Sequence, residues 1–182
     1  MDGELEQVED RWRLRFVRRL PHSPDKVWRA LTEPEHLRVW FPTDIEGERA
    51  VGARLRFVFR EGEGPAMEGR MLAYQPPTLL EFSWGEELVL RFELQPDADG
   101  TRLTFLGTFD ELGKASRDAA GWHVRLDVLV YHLAGEELPW NPRERWAEVH
   151  DIYVHAFPRE ASTIGPPKRP PESSEDESKE HA

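Results

Sequence analysis

The sequence predicts an α+β domain. One antiparallel sheet has its apolar face covered by a long C-terminal helix, and two short helices follow the first strand. Three observations lead there. Apolar residues alternate with period two through residues 11–20 and again in successive segments from Asp44 to Phe109. Two proline-led helical patterns stand between those regions. From Lys114 to Gly135 the apolar period becomes helical.

In "RWRLRFVRRL", Trp12, Leu14 and Phe16 alternate with Arg11, Arg13 and Arg15, the pattern of a half-buried strand. "HSPDKVWRAL" then offers Ser23 as an N-cap, Pro24 at the first helical position and Asp25 at the positive end of the helix dipole. Val27, Trp28 and Leu31 mark its apolar face. "TEPEHLRVWF" repeats the device, with Thr32 or Glu33 leading, Pro34 starting, Leu37, Trp40 and Phe41 following, and Pro42 stopping it. "ARLRFVFR", "MEGRMLAYQPP", "TLLEFSW", "EELVLRFELQ" and "TRLTFLGTF" form a series spaced for an antiparallel meander, with turns at "EGEGPA", Pro76-Pro77 and Asp99-Gly100. In "KASRDAAGWHVRLDVLVYHLAG", Trp122, Leu126, Leu129, Val130 and Leu133 make one helical stripe ending at Gly135. Gly121, inside this helix, suggests close approach to a strand. "NPRERWAEVHDIYVHAF" predicts a final helix over 142–157.

Residues 10–158 therefore read as a single domain with an extra C-terminal helix. A flexible acidic N-terminus over 1–9 and a disordered tail over 159–182, poor in apolar residues, flank it. The formal net charge of -11 is concentrated at the ends: residues 1–10 carry -5 and residues 160–182 carry -3, leaving -3 for the rest. Such a body lacks the clustered Lys and Arg of a nucleic-acid face, and the arginine-rich runs alternate as the outer faces of strands. The chain has no cysteine, which excludes disulfides, thiolate nucleophiles and cysteine metal sites. No apolar run is long enough to span a membrane, and the acidic start is not a secretory signal, so a cytoplasmic protein is expected.

The segments "SPDKVWRALTEPEHLRVWF", "VGARLRF", "QPPTLLEFSW", "DGTRLTFLGTF" and "GWHVRLDVLVYHLAG", in that order, resemble the SRPBCC superfamily. This is the helix-grip fold shared with START lipid-binding domains and the birch-pollen-allergen family. The similarity is greatest to the C-terminal-type domain of the activator of the ninety-kilodalton heat-shock protein ATPase. The resemblance implies a curved sheet gripping the long helix, with a cavity between them for a hydrophobic or lipid-like small molecule. The sequence shows no counterpart of the activator's extra N-terminal module, so stimulation of a chaperone ATPase is not carried over.

With 7 Trp and 9 Phe, the domain has aromatic side chains enough to wall a cavity as well as fill a core. The expected lining is Trp40 and Phe41 at the mouth, Phe57, Phe59, Phe82, Trp84 and Phe92 from strands, and Trp122, Leu126, Leu129 and Leu133 from the long helix. Trp28 is expected as a core anchor. Tyr74, Ser83, Arg91 and Glu93 are candidate polar contacts. Catalytic signals are weak. His123 and Asp127 share a helix face at i,i+4 but lie off the apolar stripe, which reads as a solvated pair. His150 and His155 are five apart, the wrong spacing for one metal, so neither metal nor cofactor is expected. "EGEGP" lacks the lysine and flanking elements of a phosphate loop, and no nucleophile elbow is present. Ligand binding leads; a cyclase- or hydrolase-type cavity enzyme using His123 or Asp127 is an alternative. Another is an interaction module, either a chaperone partner or a homodimer docked through Trp140, Trp146 and Tyr153.

Overall fold

The computed structural model describes residues 2–60 and 64–166. Period-two alternation produces eight strands: β1 (Glu4–Val8), β2 (Arg11–Leu20), β3 (Thr43–Glu46), β4 (Arg54–Phe59), β5 (Met67–Gln75), β6 (Leu79–Trp84), β7 (Leu88–Asp97) and β8 (Gly100–Phe109). They form one open, curved antiparallel sheet in the order β1-β2-β8-β7-β6-β5-β4-β3. Four helices accompany it: α1 (Pro24–Thr32), α2 (Pro34–Trp40), α3 (Ala115–Ala134) and α4 (Pro142–Ala156).

The topology explains the short helix pair. β3 to β8 form a meander, but β2 pairs with β8, near the opposite side of the sheet from β3. The chain must therefore cross the sheet between β2 and β3, and α1–α2 makes that crossing. Ser23 caps α1, its Oγ accepting from the Lys26 N–H, and Pro24 opens the helix. At the start of α2 the N-cap is Glu33, whose side chain makes no capping bond because Arg29 holds its carboxylate at 2.9 and 3.3 Å.

The concave face carries Leu14, Phe16, Leu55, Phe57, Met71, Phe82, Leu90, Phe92, Leu103 and Phe105, all buried, against Trp122, Leu126, Leu129 and Leu133 of α3. Full burial of each large apolar side chain contributes about 1.5–3 kcal/mol. α3 ends as expected, with Gly135 in the left-handed region at φ 71°. The β7–β8 hairpin turns on Ala98 and Asp99, with Asp97 paired to Gly100. Gly100 therefore serves close approach: a Cβ there would lie 2.0 Å from the Leu20 carbonyl oxygen.

Two segments differ from expectation. The acidic N-terminus is an edge strand, because its acids stand opposite the arginines of β2. Glu4 pairs with Arg15 at 3.0 Å and Glu6 with Arg13 at 3.7 Å, and Leu5 lies across from Leu14. The chain after α4 also stays packed. Arg159–Ser162 form a 3-10 helix with Ala161 buried, Ser162 Oγ meets Ser116 Oγ at 2.7 Å, and the Ile164 N–H donates to the Gly113 carbonyl. A few anchors suffice where average composition suggested a tail. The remainder of the expected tail, 167–182, and residues 61–63 of the glycine-rich turn lie outside the described residues.

Candidate functional site

Along α3 the stripe facing the sheet changes character. Its C-terminal half presents Leu126, Leu129 and Leu133, all buried against the sheet; a separate void under α1, lined by Leu31, Leu55 and Phe82, measures only about 10 Å³, room for one water at most. In the first half that stripe continues as Ala115, Ala119 and Trp122, and about a quarter-turn to one side of it a flank presents Lys114, Arg117, Asp118, Gly121 and Arg125, spaced three and four apart. With alanines in place of leucine on the stripe and glycine and charge on the flank, this half leaves an open cleft of about 1130 Å³. Phe59, Met67, Trp84 and Leu88 wall it from the sheet, Trp146 from α4, and Pro42 and Pro166 from the flanking chain. At its base Trp84 and Trp122 meet edge to face at 5.8 Å.

The charges are graded with depth. Glu68, Glu86 and Glu87 are exposed at the rim. Lys114 is deeper: its side chain is 12% exposed and its Nζ lies 3.1 Å from a Glu87 carboxylate that is 67% exposed. Arg117 donates to Asp118 at 2.9 Å, and Arg125 to the Trp40 carbonyl at 3.2 Å. Burial pushes the Asp118 carboxyl above its ordinary value, although Arg117 and Lys114 pull the other way. The buried Trp84 Nε1–H has no acceptor among the described residues.

Of the eleven residues expected to line a cavity, the structure brings Phe59, Trp84 and Trp122 together around this cleft. The other eight are core. Trp40 and Phe41 are not at a mouth: they are 2% and 1% exposed, with Trp40 Nε1 donating to the Ala30 carbonyl and Phe41 packed on Phe82, Trp84 and Trp122. Pro42, one residue on, is what reaches the cleft. Phe57, Phe82, Phe92, Leu126, Leu129 and Leu133 are buried in the filled part. Trp28 is the core anchor expected, its ring 5.4 Å from Tyr74. The candidate polar contacts are turned elsewhere: Arg91 pairs with Glu81 and Glu93, and Ser83 Oγ accepts from the Arg70 N–H. Sequence reasoning missed Trp146, Lys114 and Arg117. The signal for the last two was their i, i+3 spacing, continued to Gly121. Gly121 itself faces α4 and the cleft and approaches no strand, since a Cβ there would meet only Trp146 Nε1, at 3.9 Å.

The His123–Asp127 pair is the largest correction. It is not solvated. His123 is 4% exposed, its Nε2 lies 3.2 Å from Asp127 Oδ2, and its Nδ1 lies 2.8 Å from the Tyr153 hydroxyl of α4. Asp127 accepts from the buried Arg18 at 3.0 Å, and Tyr153 Oη accepts from the Gly3 N–H at 2.7 Å. Every group is satisfied when the tyrosine hydroxyl donates to Nδ1 and the Nε2–H donates to Asp127. Burial works against charge on Asp127, but His123 and Arg18 outweigh it and hold the carboxyl below its ordinary value. Burial pushes the Tyr153 phenol up to about 12. The pair reads as solvated only if α3 has one buried face; α4 and β2 give it a second. Neither His123 nor Asp127 lines the cleft.

His36 Nδ1 and His132 Nε2 meet at 2.8 Å between α2 and α3. Glu33, Glu35 and His36 bring ligand-type atoms within 4.8 Å of one another, but Arg29 already occupies the Glu33 carboxylate. Among the described residues, no helix is long and apolar enough to cross a membrane.

A curved sheet gripping a long helix, open at one end onto an aromatic-walled cleft, defines a helix-grip domain of the SRPBCC superfamily. The chain belongs to the family described as Activator of Hsp90 ATPase homolog 1-like protein, whose model matches residues 21–134. Among solved structures it is similar to EF2215 from Enterococcus faecalis, a conserved protein of unknown function, at 22% identity and a TM-score of 0.68, covering 85% of this chain and 89% of that one. CalU16 from Micromonospora echinospora follows at 21% identity and 0.67, covering 85% and 98%. The protein encoded by gene BPP1335 of Bordetella parapertussis gives 25% identity and 0.64, covering 86% and 91%. No curated protein matches the chain.

Proposed function

We propose that this is a cytoplasmic, non-enzymatic binding domain that holds a hydrophobic or amphipathic small molecule in the cleft between the sheet and the first half of α3. The observation that carries the reading is the cleft itself. About 1130 Å³ walled by Phe59, Met67, Trp84, Trp122 and Trp146 is too much apolar concavity for packing alone, and a drug-sized molecule buries most of its surface in such a space. The catalytic alternative relied on His123 and Asp127 inside a cavity, and their side chains are committed to Tyr153 and Arg18. The residues offered for a homodimer are engaged within the chain. Tyr153 is buried, Trp146 stacks on His150, and Trp140 packs on Tyr131.

A thermal-shift screen with fatty acids, flat aromatics and polyketides, followed by native mass spectrometry, tests the reading. A ligand at a hundred times its Kd stabilises the fold by about 2.7 kcal/mol. For a chain of this size that raises Tm by about 5–10 °C. The mass spectrum should show one ligand per chain. Uniformly flat Tm values across all three classes would overturn it.

A further inference from the structure

Resting on that reading, the depth grading of charge specifies the ligand further: we propose that the cleft takes an anionic amphiphile, its apolar body against the Trp84–Trp122 floor and its acidic head on Lys114. Lys114 is the cation best placed for this. It stands where the 3-10 turn Leu112–Lys114 runs into the start of α3, and the helix dipole there also favours negative charge. Its side chain is already largely withdrawn from water, at 12% exposure. Its carboxylate partner, Glu87, is 67% exposed on the short β6–β7 turn. Water around the Glu87 carboxylate screens its attraction to Lys114, so the Glu87 side chain is free to swing aside. A ligand acid brought in with its own apolar body meets the ammonium in a drier setting than Glu87 does, and there the attraction is stronger.

The other charges agree with this sign. Arg117 lies one turn along the same flank, with Asp118 as its partner. Among the described residues, Asp118 is the one carboxylate set deep in the cleft, and Arg117 is its ion-pair partner. The remaining acids, Glu68 and Glu86, are exposed at the rim. A cationic head group would have to pass them and settle beside Lys114 and Arg117. A neutral ligand would leave the Lys114 ammonium with Glu87 and the Phe109 ring 6.0 Å away, with the cleft's water displaced and no new partner for its charge.

Two fluorescent probes differing by one group separate the possibilities: 8-anilinonaphthalene-1-sulfonate and its uncharged parent, N-phenyl-1-naphthylamine. Both are titrated into the full chain and into the variants Lys114→Gln, Lys114→Arg and Gly121→Phe, with Tm measured for each. Gly121 is the place for a plug because a side chain there meets no backbone and points at the cleft. The expected result is a preference of about tenfold or more for the sulfonate, as one charge-assisted hydrogen bond supplies. Lys114→Gln should abolish that preference by weakening the sulfonate more than the neutral probe, Lys114→Arg should keep it, and Gly121→Phe should weaken both probes. Equal binding of the two probes, or a preference that survives Lys114→Gln, overturns the anionic assignment. If Gly121→Phe still blocks both probes in that case, the cleft stands as the binding site. If neither probe binds, or the plug affects neither, the assignment and the cleft reading fail together.

Discussion

Replacing Tyr153 with phenylalanine removes one oxygen and tests whether the buried polar chain from Gly3 to Arg18 ties β1, α4, α3 and β2 together. The ring stays, so packing on Phe16 and Phe157 is kept. Two hydrogen bonds go: the one received from the Gly3 N–H at 2.7 Å and the one shared with His123 Nδ1 at 2.8 Å. Gly3 is only half-buried, so water can replace the first partner at small cost. His123 is 4% exposed, and its Nδ1 is left without a donor in a site water does not reach. A stranded buried polar group costs about 1–3 kcal/mol, so the whole substitution should cost about 2–3 kcal/mol and lower Tm by roughly 5–10 °C. Urea denaturation gives the first figure and thermal unfolding the second. Hydrogen exchange locates the effect: amides of β1 should lose protection more than those of β7 or β8, because the Gly3 contact pins the edge strand to α4. The high-pH limb supplies an independent check. With the phenol raised from 10.0 to about 12 in the folded chain, the unfolded chain ionises first. The wild type therefore loses stability between those values, and the variant should lack that component. A variant within 0.5 kcal/mol of wild type, with β1 exchange unchanged, would refute the reasoning.

Two further outcomes follow from other contacts. Gly100→Ala forces a Cβ to within 2.0 Å of the Leu20 carbonyl oxygen, so the backbone at the β2–α1 junction must move; equilibrium unfolding should show a loss of about 1–3 kcal/mol, and no loss would mean that the close approach is not real. His132 is held below its ordinary value of 6.5 by burial, then by His36 and Lys26. The unfolded chain thus takes up this proton first as pH falls below 6.5, and that part of the stability is lost on acidification. The same urea titrations at pH 7.5 and 5.5 should show a smaller drop for His132→Gln than for wild type; equal drops would remove His132 from the acid response.

The elements that sequence patterning disclosed are those whose cause is local. Ser23-Pro24, the period-two strands and the Leu126–Leu129–Leu133 stripe ending at Gly135 each carry their instructions within a few residues. What was not legible depends on partners distant in the chain. The acids of β1 look like a solvated tail until Arg13 and Arg15 are set opposite them. His123 and Asp127 look solvent-facing until α4 brings Tyr153, thirty residues on, against the far side of α3. The Val149 and Tyr153 positions of α4 did show an apolar face needing a partner, and a second buried face on α3 was the available one. The candidate site was half legible for a similar reason. Counting aromatics showed that a cavity could be walled, but only three-dimensional placement separates Trp84 and Trp122 at the cleft from Trp40 and Phe41 beneath it.

The cleft and the polar chain are two consequences of one division along α3. In its first half, Ala115, Ser116, Ala119, Ala120 and Gly121 are small, and four of these five are fully buried. Small residues let α4 and the 3-10 helix after it approach closely on one side, and there His123, Tyr153 and Ser116 make the hydrogen bonds that hold them. Because the same half offers the sheet only Trp122 and small alanines, and carries Lys114, Arg117, Asp118 and Gly121 on the adjoining flank, the space there stays open. In the second half the leucines take over and the concavity closes. A fold that must stay rigid while leaving space unfilled gains from this separation. Directional bonds outside the cleft replace the packing that filling it would have provided, so the walls do not depend on an occupant to hold their shape.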